Sequence, residues 1–144
     1  MNILAFASRK GGAGKSTLAA HLAAHVHRPT RPCLLIDDDP QGSLTLWNEL
    51  RETALPLKIV KRDIAHIVKK AKGNGVEWIF IDTSPNTSAS VLEAIEAATL
   101  VIIPCRPGLF DLLYRKLLAS RGRHERRMLL FSTQRRQDVS KLNH

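Results

Sequence analysis

Residues 2–17, NILAFASRKGGAGKST, constrain the fold more than any other stretch of the chain. A short apolar run, Ile3 to Ala7, stops at Ser8, and a glycine-rich loop then leads straight into the helix-forming sequence Lys15-Ser16-Thr17-Leu18-Ala19-Ala20. That order predicts strand, loop, helix. Gly11, Gly12 and Gly14 have no Cβ, so the backbone there can take positive φ and turn successive N–H groups toward an anion. A helix starting near Gly14 adds its free N–H groups and the positive end of its dipole, which makes the loop a cradle for phosphate. In such a cradle Lys15 reaches the β- and γ-phosphates of a nucleotide, and Ser16 sets its hydroxyl on Mg2+.

At 144 residues the chain has the length of one domain and can bury a real core, so neither disulfides nor a structural metal are required. The net charge of +9 is unevenly spread. Residues 1–111 hold 13 Lys and Arg against 11 Asp and Glu, whereas residues 112–144 hold 9 against 2. The basicity therefore belongs to the tail. Cys33 and Cys105 lie next to apolar runs without CxxC spacing and read as buried or strand-end thiols of a reducing compartment. No apolar run approaches the length of a membrane span, and the N-terminus enters a strand without a charged leader. A cytoplasmic location is expected.

Taken in order, the helix after the loop runs to about residue 27, where Arg28-Pro29-Thr30-Arg31-Pro32 ends it. Cys33 to Ile36 is a continuous apolar run of the kind found in a parallel sheet covered on both faces. It delivers Asp37-Asp38-Asp39-Pro40-Gln41-Gly42 to its end. A helix carrying Trp47 is expected over 43–54, a short strand over Leu57 to Val60, and a helix over Asp63 to Lys72 with Ile64, Ile67 and Val68 inward. Gly73-Asn74-Gly75 breaks the chain before a strand from Val76 to Ile81, followed by a helix from Ser88 to Ala98 and a strand from Leu100 to Ile103. Alternating strands and helices predict an α/β fold: a doubly wound, mainly parallel sheet with flanking helices. Ligands of such sheets sit at the carboxyl ends of the strands, where the acidic residues of this chain fall.

Asp82 follows Trp78 to Ile81, the Walker B arrangement of a carboxylate at a strand end holding Mg2+. Asp37, Asp38 and Asp39 follow a second buried strand, and three adjacent carboxylates are costly unless a cation is near. His21 and His25 are four apart on the first helix, but no Glu follows His21 and no third ligand is evident, so they read as ordinary surface or core histidines. Trp47 and Trp78 read as packing residues, since neither lies in a basic, aromatic-rich sheet pattern.

The usual phosphate-loop pattern asks for Gly five residues before Gly14, where this chain has Arg9. What remains, KGGAGKST, resembles the deviant Walker A motif of the ParA/MinD family of ATPases. DDDPQGS resembles that family's second motif, IDTSPNTS its Asp-Thr-Pro/Ala-Pro loop, and IIPCRPGLFDL its Ile-Pro-x-x-Pro-x-x-x-Asp-Leu segment. The four motifs, in order over residues 2–112, resemble small ParA-type plasmid and chromosome partition ATPases. The resemblance implies a P-loop NTPase fold with ATP and Mg2+ as cofactors. It implies that Lys10, Gly11, Gly12, Ala13, Gly14, Lys15, Ser16 and Thr17 bind nucleotide, that Ser16 and Asp82 hold the metal with Asp37 supporting the shell, and that Asp39 orients the attacking water. Lys15 and Lys10 complete the catalytic set, with Lys10 reaching the partner's phosphates in a nucleotide-sandwich dimer. Asp38 stands where the family has an apolar or neutral residue and receives no role. The implied partners are a second copy in an ATP-dependent homodimer, nonspecific DNA and a ParB-like centromere-binding protein, with no membrane and a nucleoid-associated location.

Residues 113–144 do not resemble the family's C-terminal half, so two segments are expected: a nucleotide-binding domain over 1–112 and a basic tail over 113–144, with the C-terminal part of the fold missing. FSTQRRQ can be encoded by DNA whose shifted frame reads Leu-Asn-Ala-Ala-Pro-Pro, similar to a stretch expected in the family, which points to a frameshift close to Leu112. The tail lacks an alternating strand and helix pattern, and with the sheet's far edge missing Leu100 to Ile103 is expected as an exposed apolar strand that promotes aggregation. The tail's arginines suggest DNA phosphates as a second explanation. Competing activities are an inactive nucleotide-binding remnant and a MinD-like cell-division ATPase. The latter lacks a C-terminal amphipathic helix here. An iron-protein reductase of the same superfamily needs cluster cysteines, which Cys33 and Cys105 are not placed to supply.

Overall fold

The computed structural model describes residues 1–51, 57–59, 63–105 and 127–132. Strand β1 (Asn2–Phe6) passes through the glycine-rich loop into α1 (Lys15–Val26); β2 (Cys33–Asp38) is followed by α2 (Ser43–Glu49) and β3 (Leu57–Ile59). Then come α3 (Ile64–Gly73), β4 (Trp78–Thr83), α4 (Ala89–Ala97), β5 (Leu100–Cys105) and β6 (Arg127–Ser132). The strands form one sheet in the order β3-β2-β4-β1-β5-β6, and every neighbouring pair is parallel.

A parallel sheet covered on both faces needs strands that are apolar on both sides. β2 is buried along its whole length, and β4 from Ile79 onward. Alternation along the strands sorts their side chains into two cores. Leu4, Phe6, Leu35, Phe80 and Ile102 pack against Ala19, Ala20 and Ala23 of α1 and Leu44 of α2. Three alanines on the inner stripe of α1 let that helix lie close to the sheet. The opposite face brings Ile3, Ala5, Leu34, Ile36, Ile79, Ile81 and Val101 against α3 and α4. The sheet is therefore doubly wound, as expected. Phe80 is 1% exposed, and truncating an aromatic buried so fully costs about 3–5 kcal/mol.

Local signals explain the helix bounds. Asp63 caps α3 by accepting a hydrogen bond from His66 N at 3.0 Å, and Ile64, Ile67, Val68 and Ala71 recur at the spacing of one helix face. Ser88 caps α4 through Val91 N, which turns Val91, Ala94 and Ile95 inward. Trp78 stacks on Phe80 with ring centroids 6.1 Å apart, and Trp47 packs against the α1-side core under the Arg51 guanidinium, so both tryptophans pack as read. Cys33 is buried as read. His21 and His25 are exposed, and no group of three metal-binding side chains forms among the described residues.

Two expectations change. Helix α2 ends at Glu49; residues 52–54 of the expected helix lie outside the described residues. The second change concerns the sheet edge. β5 is not exposed at its far side, because β6 pairs with it over six residues, from Leu100 opposite Arg127 to Cys105 opposite Ser132. Met128 to Phe131 is a four-residue apolar run, long enough for a strand but hidden in the sequence by the arginines around it. The segment read as a basic tail outside the fold thus contributes a strand to the sheet. The Arg106–Leu112 part of the fourth motif lies outside the described residues.

Candidate nucleotide site

The glycine-rich loop is anchored at both ends. Where β1 stops, Ala7 N donates to Ile102 O at 3.0 Å, and the Thr83 hydroxyl of β4 donates to Phe6 O at 2.7 Å. Ser8 is buried and its hydroxyl accepts from Lys10 N, which sets the first bend. Gly12 and Gly14 then take φ of 69° and 92°, a left-handed backbone that side-chain-bearing residues resist. Gly14 caps α1 without help from a side chain, so the first N–H groups of the helix remain available. Lys10, Gly11, Gly12 and Thr17 are exposed, Ala13 is buried, and Gly14 and Ser16 are half-buried. Lys15 opens the helix, only 5% exposed.

Asp82 sits at the tip of β4 in register with Asp37 on β2 and Phe6 on β1. It is fully buried, and neither carboxylate oxygen has a hydrogen-bond partner. Burial pushes its pKa up to about 7; Asp37 and Asp39 push the same way, while the nearby Ser16 hydroxyl and Lys15 ammonium draw it down. Ser16 faces the carboxylate without closing a hydrogen bond to it. The fold thus gathers Lys15, Ser16, Asp37, Asp39 and Asp82, from three separate stretches of sequence, around one point.

The two neighbouring acids differ in what they can do. Asp37 Oδ1 accepts from Asp39 N at 3.2 Å, and Oδ2 accepts from Thr45 N at 3.0 Å and the Thr45 hydroxyl at 2.7 Å. With both oxygens engaged, Asp37 ties the strand tip to the first turn of α2 and adds fixed negative charge beside Asp82. Asp39 is half-buried, and its Oδ1 accepts from Gln41 N in the turn that leads to α2. Ser8, Thr45 and Thr83 were not singled out in the sequence. Only Thr45 carried a signal: a hydroxyl two residues past Ser43, in the first turn of a helix that follows an acidic strand end.

Residues 4–118 match the CobQ/CobB/MinD/ParA nucleotide-binding domain. Protein ParA of Rhizobium radiobacter is 37% identical over 116 residues, covering 77% of this chain and 51% of that protein. The maintenance of carboxysome distribution protein A of Gloeobacter kilaueensis is 32% identical over 112 residues, covering 76% and 51%. The chain therefore spans about half the length of these curated relatives. Among solved structures, a plasmid partition protein from Borrelia burgdorferi superposes with a TM-score of 0.70 at 20% identity, covering 97% of this chain and 84% of that one. Cobyrinic acid a,c-diamide synthase from Mycobacterium smegmatis, with ADP and magnesium bound, also gives 0.70 at 20% identity, covering 92% and 74%. The match over residues 4–118 shows that the chain belongs to the CobQ/CobB/MinD/ParA family of nucleotide-binding domains, with Protein ParA and the chromosome-partitioning ATPase Soj of Thermus thermophilus among its curated relatives.

Proposed function

We propose that this chain binds Mg-ATP in the loop from Lys10 to Thr17 and hydrolyses it slowly in the service of DNA partition. The observation that carries the reading is Asp82, a fully buried carboxylate with two idle oxygens beside a lysine and a serine at a helix start. A hard divalent cation fits this donor set, which is oxygen only, and it would relieve a buried charge that Lys15 and Ser16 offset only in part. Magnesium, when bound, would neutralise phosphate charge and stabilise the transition state.

The chain's own groups do the rest. Loop N–H groups and the Lys15 ammonium hold the phosphates. Ser16 and Asp82 hold the metal, and Asp37 supports that shell through its anchored position. Asp39 orients the attacking water. Lys10, exposed on the outer side of the loop, reaches the phosphates of a second subunit. Rate enhancement comes from positioning and charge stabilisation, with no covalent intermediate. Relatives named for chromosome and plasmid partition support the partition reading; on that reading the partners are a second copy in a homodimer formed with ATP, nonspecific DNA and a ParB-like protein, in the cytoplasm and away from the membrane. The second reading is a nucleotide-binding module without turnover.

Thermal denaturation with ATP and Mg2+, ATPase assays with and without DNA, and light scattering separate the two. A melting shift that needs both ATP and Mg2+ and disappears in Lys15→Ala is expected. Turnover together with a nucleotide-dependent doubling of mass supports the partition reading; binding without either supports the module. No shift at millimolar Mg-ATP refutes both.

A further inference from the structure

Helix α3 leaves a recess against the sheet, on the face away from α1. Leu34 of β2, Ile67 and Ala71 of α3 and Val76 ahead of β4 line a cavity of about 420 Å3, and His66, Lys70 and Asn74 complete its wall. These three polar residues are four apart and so follow one edge of the helix. Ala71 is 5% exposed and contributes only a methyl group to the wall, while its carbonyl accepts from Val76 N at 3.1 Å and fixes Val76 beside it. Ile67 and Val76 stay half-buried, which leaves apolar surface open to a ligand.

A second recess, of about 490 Å3, is lined by His66, Lys69 and Lys70 and shares two of these residues with the first. An apolar hollow thus adjoins a basic shelf. No acidic residue stands between Ile64 and Gly73. Three nearby acids already have donors: Asp63 Oδ1 accepts from His66 N at 3.0 Å, Glu93 Oε1 accepts from Ala65 N at 2.9 Å, and Glu77, next to Val76, pairs with Arg31 at 2.9 Å. Lysines in a last turn complement the helix dipole, which accounts for Lys70 and Lys72 alike. It does not account for an open apolar hollow beside Lys70. A cavity of this size, apolar with a few polar groups at one side, has the usual form of a small-molecule site. Its apolar wall suits a hydrocarbon body, and its rim suits a carboxylate, which accepts from the Lys70 ammonium and from an imidazole or amide N–H beside it. We propose that the recess between α3 and β2 binds a small amphipathic carboxylate, with its hydrocarbon body against Leu34, Ile67, Ala71 and Val76 and its charged end at Lys70. Bound there, it braces α3 against the strand that ends in Asp37. None of the lining residues belongs to the nucleotide site, so failure of the ATP reading leaves the recess as it is.

Octanoate is the probe, titrated into the isotopically labelled full chain and followed through the amide NMR shifts of Leu34, Ile67, Ala71 and Val76. These amides should move together and saturate. Octylamine, with the same hydrocarbon and the opposite charge, should bind about tenfold more weakly; so should octanoate to Lys70→Gln, which loses one hydrogen bond to a charged group. Lys70 is exposed, which spares the fold. Lys72→Gln, on the same helix but outside both recesses, should change the affinity by less than about twofold, since solvent and salt screen a charge that makes no contact. The site is overturned by no saturable shift of these amides at millimolar octanoate, by equal binding of octanoate and octylamine, or by a loss in Lys72→Gln that matches Lys70→Gln. The comparison of octanoate with octylamine needs no substitution and decides the matter should Lys70→Gln unfold.

Discussion

Replacing Asp82 with asparagine should stabilise the ligand-free protein at neutral pH, the reverse of the usual result for a buried polar residue. Asp82 is fully buried with neither oxygen hydrogen-bonded, and its pKa rises from 3.8 to about 7. The folded state therefore holds the proton more tightly than the unfolded chain, and stability falls as pH rises from about 4 to about 7. Three pKa units at 1.36 kcal/mol each give a cost of about 4 kcal/mol once the group is fully ionised. Roughly 2.5 kcal/mol of that appears between pH 5 and pH 8. Asparagine has nearly the same shape and never ionises, so the stability gap between variant and wild type isolates this group from every other titration. Urea unfolding in EDTA without nucleotide, at half-unit steps from pH 5 to pH 8, should show the gap widening by about 2.5 kcal/mol. A gap that stays level or narrows with pH would refute the claim that Asp82 is an uncompensated charge waiting for a cation. Mg-ATP should stabilise wild type but not the variant.

Three further substitutions probe the surrounding frame. Thr45→Val removes the 2.7 Å hydroxyl donor to Asp37 and should lower stability by about 1.5–3 kcal/mol in urea unfolding, the usual worth of a hydrogen bond to a charged group. Gly12→Ala meets no atom within 4 Å of the added carbon, so its cost is the left-handed backbone alone, about 1–2 kcal/mol by thermal melting, with a weakened ATP-dependent shift. Asp39→Ala should keep the ATP-dependent melting shift and lose turnover in a phosphate-release assay; retained turnover removes Asp39 from the mechanism.

Much of this was legible in the sequence because the signals are local. The glycine loop with Lys15 and Ser16, and the apolar runs that end in Asp37 and Asp82, each declare a strand end or a helix start within a few residues. What was hidden depends on long-range placement. The roles of neighbouring Asp37 and Asp38 diverge because a strand sends alternate side chains to opposite faces; three aspartates in a row do not reveal which one meets Thr45 and which turns to the face shared with Leu34 and Ile36. Thr83 looks like an ordinary strand residue until Phe6 O comes within 2.7 Å. β6 escaped notice since charge dominates its surroundings and the pairing that makes it a strand lies with Leu100 to Cys105.

The order β3-β2-β4-β1-β5-β6 also bears on synthesis. β1 and β2 are made first, yet they are not neighbours: a slot one strand wide, roughly 10 Å between their axes, waits for residues 78–83. Until the ribosome has released that segment, two facing rows of unpaired amides and carbonyls flank a gap that any extended peptide of the right length can enter. The hazard of misassembly is concentrated in one interval of translation, and a pause while residues 78–83 are still inside the ribosome should raise the aggregated fraction more than a pause of equal length after they have emerged.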